Sequence, residues 1–281
     1  MMARKRITYT TLRLNKNLER VTADGSKRRR EAERSLNSAL LALQYASSRF
    51  SDYQILSRKF LKQANFSQMI DHDPCKAKES LYLCSVCQKI VCRYYNPSIK
   101  KTDGPYEVDL HQLDKWEAAV IADAGELAID LGARLLHREG SVIHPFQVCR
   151  GRALYGLFIE NVRMTEEAIC QLKDGSFPRF NTTANQSAQR LGQAFQDILI
   201  RNGQRFNAYL SDQLSRERRG YHGASFLNFD LLALAKIAAR HGLSVELDTI
   251  ECPKELMIPK EVDYSFVDIP TPKEGFPWDE V

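Results

Sequence analysis

The chain has 281 residues, 43% hydrophobic and 27% charged, with 14 Gly and 10 Pro, a size and composition that allow a full core and exclude a disordered, collagenous or low-complexity protein. Its longest apolar stretches, such as 225–239, which is interrupted by Asn228, Asp230 and Lys236, fall well short of the ~20 apolar residues a membrane span needs. The basic residues 1–10 lead into Arg13, Lys16 and Glu19 and not into an apolar run, so no secretory signal is read and a cytoplasmic protein with no membrane partner is expected.

From Glu31, apolar Leu36, Leu40, Leu43, Ala46 and Phe50 recur every three to four positions, and Ile55, Phe60, Leu61 and Ala64 continue the period after a break near Ser51 and Asp52. This predicts a helix pair. Asp73-Pro74 starts a third helix, because proline lacks an N–H that the first turn leaves unbonded anyway. That helix runs past Cys84 and Cys87 to Tyr95 and stops at Asn96-Pro97. Residues 110–135 carry the longest apolar stripe, with a break expected near Gly125 or Gly132. Beyond His144-Pro145, the segment to about Asn161 is apolar on more than one face, which places it centrally in the core. Thr165, followed by Glu166 and Glu167, reads as the N-cap of a short helix to Leu172. Helical spacing returns over 184–214, weakened in its middle by Gly203, and 216–223 reads as an exposed connection.

The clearest helix is 226–241, closed by Gly242. Val245, Leu247 and Thr249 then alternate as one extended segment, and the prolines beyond it argue against regular helix. Strand signals are too few for a sheet. The expected class is mainly α: a single layered multi-helix domain with at most one short strand pair or extended segment near the C-terminus. Residues 1–34 read as a basic N-terminal arm and helix start, and 35–250 as the helical domain. Residues 251–281 read as a Pro-rich acidic and aromatic tail that packs on the domain or projects from it.

The seven cysteines are odd in number, and Cys75, Cys84, Cys87 and Cys92 fall within one apolar stretch. An oxidised framework is not expected. Four thiolates could hold zinc, but on a helix Cys84, Cys87 and Cys92 spread to about 0°, 300° and 80° and do not converge. Cysteine also packs as a small apolar side chain. No metal and no cofactor is expected. GxSxG, HExxH, GxGxxG and P-loop patterns are absent from the sequence, so neither catalytic residues nor an enzyme is read.

The formal charge of +5 conceals an asymmetry: residues 1–34 carry eleven Lys or Arg against four acids, and 244–281 carry ten acids against three lysines. The run Lys27-Arg28-Arg29-Arg30 could lie on phosphate, but no aromatic interleaving follows it. It reads first as a solvated arm, and nucleic acid is not the expected partner. In the tail, Glu251, Glu255, Asp263, Asp268, Asp279 and Glu280 are interspersed with Tyr264, Phe266 and Trp278. Solvating tails lack such large apolar groups, whereas aromatic anchors within a charged field are what a protein partner recognises. These nine residues are the candidate partner-binding set.

The stretch 226–256 resembles the C-terminal signature of the bacterial immunity protein 49 family. The shared pattern is a Leu- and Ala-rich helix (229–239), a charged stop ending in glycine (Arg240-His241-Gly242), an alternating segment (243–248), and Pro253 followed by Leu256. Cys252 stands where the pattern has an aromatic. The resemblance implies a mostly helical, non-catalytic cytoplasmic protein that blocks a cognate toxin by binding it directly. The toxin expected from the acidic tail is a basic one acting on intracellular nucleic acid or nucleotide. The competing reading is a nucleic-acid-binding regulator that uses residues 1–34.

Overall fold

The computed structural model describes residues 25–45, 50–93, 113–136, 144–220 and 227–269. Among them are eleven helices and no strand: α1 (Gly25–Tyr45), α2 (Phe50–Met69), α3 (Pro74–Arg93), α4 (Leu113–Ile121), α5 (Gly125–Leu136), α6 (Pro145–Phe158), α7 (Val162–Asp174), α8 (Thr182–Leu199), α9 (Gly203–Gly220), α10 (Phe229–Arg240) and α11 (Lys254–Met257). The multi-helix all-α class expected from periodicity is the one observed. None of these helices is long and apolar enough to cross a membrane.

Short α4 lies at the centre. It packs on α3, α5 and α10, while α10 also meets α6, α9 and α11. All residues of α4 except Asp114 are buried, and Trp116, 1% exposed, donates its indole N–H to Ala128 O at 2.9 Å. Tyr155 and Phe158 of α6 meet the same indole edge-on. Gly132 makes this crossing possible, since a Cβ there would stand 2.2 Å from the Tyr155 ring. Helices α6, α7 and α8 pack in sequence to one side. On the other side α2 lays Tyr53, Leu56, Phe60 and Ala64 against α3, and α1 rests on α2.

The Asp73-Pro74 start acts as expected, with Asp73 Oδ1 accepting from Lys76 N–H ahead of α3. Helix α10 starts at Phe229 and not at 226, because Asn228 caps it, its Oδ1 accepting from Leu231 N–H. Several stops differ from expectation. The segment 184–214 divides at residues 200–202, where Arg201 takes the left-handed φ of 57° and Asn202 N–H donates back to Asp197 O. The break in 110–135 falls at Asp123, φ 63°, with Ala124 N–H on Ala119 O. Glu160, φ 58°, ends α6 the same way, with Asn161 N–H on Gly156 O. These are helix-ending motifs that normally recruit glycine at the left-handed position; here Arg, Asp and Glu fill it.

The N-cap of α7 is Asn161, not Thr165. Thr165 is fully buried inside the helix, and its hydroxyl donates to Asn161 O. The first helix pair breaks before Phe50, and α9 continues through the expected connection to Gly220. The segment after Gly242 is neither helix nor strand among the described residues. The Asn207 side chain takes the place of a neighbouring strand, donating to Ser244 O and accepting from Glu246 N–H. After Pro253 the chain makes one helical turn, α11, that the proline count did not predict: Pro253 stands ahead of the turn, where it breaks no hydrogen bond.

Candidate functional site

Residues 243–269 form a strap across the helical core. Leu243, Leu247, Cys252, Leu256 and Met257 are buried, and a reciprocal pair of hydrogen bonds between Thr249 and Cys252 tightens the turn before α11. Asn228 N–H, ahead of α10, donates to Glu251 O at 2.8 Å. Lys236 of α10 donates from beneath to Leu256 O at 3.2 Å. Further on, Tyr264 stacks on Tyr82 of α3 with ring centroids 4.1 Å apart and planes within 1°. Its hydroxyl donates to Ala122 O at 2.6 Å. Burial, then the nearby negative charge of Asp123, raises the Tyr264 pKa and keeps that donor protonated. Ile269, 1% exposed, closes the strap.

Between the anchors Tyr264 and Ile269 the chain turns outward. Val267 N–H donates to Tyr264 O, and Asp263 Oδ1 accepts from Ser265 N–H, which holds the Asp263 carboxyl below its usual range. The turn carries Phe266 at its apex, 93% exposed. Asp263 and Asp268 flank it and are exposed, as are Glu255 and Glu261 earlier in the strap. The candidate set therefore splits. Phe266, Asp263, Asp268 and Glu255 face solvent, Tyr264 is an internal anchor, and Glu251 is buried at the base of the strap. Trp278, Asp279 and Glu280 lie outside the described residues.

Two buried ionic clusters join the helices beneath. In the first, Asp123 Oδ2 accepts from Lys78 at 2.7 Å and from Lys236 at 2.6 Å, joining α3 and α10 at the α4–α5 turn. In the second, Arg150 of α6 reaches Glu117 of α4 at 2.5 Å and Asp230 of α10 at 3.0 Å. Glu117 is fully buried, and one of its oxygens accepts no hydrogen bond. Burial, reinforced by the charge of Asp230, lifts the Glu117 pKa well above the carboxylate range. Asp230, its side chain 54% exposed, is held low by Arg150 against the cost of burial. Glu117 thus carries the pair's proton in the interior and Asp230 its charge at the surface.

The cysteines do not converge. Cys84 and Cys87 are fully buried, and burial pushes the Cys84 thiol up to about 12. Among the described residues no three His, Cys, Asp or Glu side chains are placed to hold a metal. An open groove of about 520 Å³ beside α8 is lined by Lys173, Gln186, Gln189, Arg190 and Gln193. Lys173 there donates to Gln196, and Arg190 to Gln186 O.

No protein-family model matches this chain, and comparison with curated proteins and with solved structures yields no significant similarity.

Proposed function

We propose that this chain is an immunity protein that neutralises a cognate bacterial toxin by non-catalytic binding, with the acidic turn around Phe266 as its toxin-facing surface. The observation that carries this reading is the 93% exposure of Phe266 on a turn pinned at both ends by Tyr264 and Ile269. An aromatic left in water is a standing source of binding energy, about 1.5–3 kcal/mol when covered. Holding it in place beforehand removes part of the ordering cost of association. The described strap, 243–269, carries seven acids against two lysines. Such a field speeds encounter with a basic surface of the kind that enzymes acting on nucleic acid or nucleotide present. The resemblance of 226–256 to the immunity protein 49 family supports the same reading, and that stretch forms α10 and the base of the strap.

The test is co-expression with the toxin encoded beside this chain. The wild-type protein should protect cells and co-purify with the toxin. Phe266→Ala should weaken the complex by between about tenfold and a hundredfold while leaving helicity unchanged. Failure to protect while folding normally, or full protection by Phe266→Ala, overturns the proposal in whole or at this surface, respectively.

A further inference from the structure

The α1–α2 pair carries a second charged surface, outside the one proposed to face the toxin. Helix α1 is peripheral: it buries Ala32 and Leu43 and packs on α2. Lys27, Arg30 and Arg34 are exposed on it. At 100° and 1.5 Å per residue these three fall within an arc of about 60° and a length of about 10 Å. The pairing of α1 with α2 is fixed at two levels, by Lys59 donating to Ser35 O at 2.7 Å and by Arg29 bridging to Asp71 at 2.5 Å. This antiparallel register brings exposed Arg58 and Lys62 of α2 alongside the Arg30–Arg34 turn. Residues 25–69 hold nine Lys or Arg against three acids, Glu31, Glu33 and Asp52. Glu33 is paired internally with Arg29.

We propose that the outer face of the α1–α2 pair binds the phosphodiester backbone of nucleic acid, without base readout, through Lys27, Arg30, Arg34, Arg58 and Lys62. Read along the sequence, the basic run is an arm with nothing beside it. Folding sets α2 cations from about thirty residues further on next to it, so the charge becomes a two-helix ledge. The chemistry favours a polyanion over an acidic protein. A folded protein partner needs an apolar anchor among the charges, and the exposed apolar residues of this pair, Leu41 and Ile55, lie one to two turns away toward the other end. A nucleic-acid strand needs no anchor, because each neutralised phosphate contributes by releasing counterions.

The proposal is independent of the toxin reading and is tested on the full chain alone, by fluorescence anisotropy with labelled mixed-sequence DNA duplex and single-stranded RNA. Between about 50 and about 200 mM salt, binding should weaken at least about 40-fold on the duplex and about 20-fold on the single strand if three phosphates are neutralised. Lys27→Glu/Arg30→Glu/Arg34→Glu should weaken it at least about 100-fold, and Arg58→Glu/Lys62→Glu about tenfold. Glu31→Lys should tighten it, a gain that no misfolded variant would show. Leu41→Ser/Ile55→Ser should leave it unchanged. The triple variant retains residues 1–24 with their own cations, so undiminished binding by it would assign the contact elsewhere and overturn the proposal. Absence of binding at low salt, or a loss on Leu41→Ser/Ile55→Ser equal to that of charge reversal, would overturn it too.

Discussion

Lys236 and Asp123, 113 residues apart in sequence, meet at 2.6 Å in the interior, where the lysine side chain has no exposed surface. The ammonium also donates to Ile121 O and Leu256 O, so one buried cation ties the end of α4, the α4–α5 turn and α11 to the middle of α10. Burial nevertheless dominates over the attraction of Asp123 and lowers the Lys236 pKa to about 7.

The sign of the pH effect follows from that value. Between pH 7 and the ordinary lysine range the unfolded chain binds a proton that the folded chain has released, so this group makes stability rise with pH. The contribution approaches about 1.4 kcal/mol per pH unit above pH 7. Urea unfolding at pH 7 and pH 8 should show the rise in the wild type relative to Lys236→Met. An identical pH slope in the two proteins would mean that Lys236 does not titrate there.

The Arg150 cluster should respond asymmetrically. Glu117→Gln keeps the shape of a side chain that already carries a proton, and should leave unfolding free energy at pH 7 within about 1 kcal/mol of wild type or above it. Arg150→Met strips the cation from two carboxyl groups and should cost about 3–5 kcal/mol. Denaturant midpoints would reveal a reversed order, which would place the charge on Glu117.

Tyr264 and Phe266 are two residues apart and should fail in different assays. Tyr264→Ala removes the stack on Tyr82 and the bond to Ala122 O, so amide exchange over 258–269 should speed up by an order of magnitude or more. Phe266→Ala should leave exchange unchanged, because its ring is 93% exposed and supports nothing among the described residues. Equal exchange in both variants would show that the stack is not the anchor.

The thiols give a quick check on the core. Cys75 and Cys170 are exposed, while Cys84, Cys87, Cys92, Cys149 and Cys252 are buried. Under native conditions two of the seven cysteines should react with a thiol reagent at solution rates, and the other five only after unfolding. Rapid native labelling of Cys84 would contradict the packing of α3 on α4.

How much of this was legible depends on how far each signal reaches. The helical class, the start of α3 at Asp73-Pro74 and the α10 core helix with its Gly242 stop follow from periodicity and caps, which involve residues within four positions of one another. The helix ends at Asp123 and Arg201 were not legible. Glycine is the usual mark of a left-handed stop, and non-glycine residues stand at these positions instead. The tail's acids and aromatics stand out in the sequence, but composition treats Tyr264 and Phe266 alike. Only a partner 182 residues upstream, Tyr82, makes one an anchor and leaves the other in water.

By itself, then, the sequence determined which segments become helices and that the two ends carry opposite charge. The tertiary structure decided which of those charges stand together, which are buried in pairs and which aromatic faces out. The division has one physical cause: helix formation is governed by hydrogen bonds four residues long, whereas burial and charge pairing are settled between side chains such as Lys236 and Asp123 that only the folded core brings together.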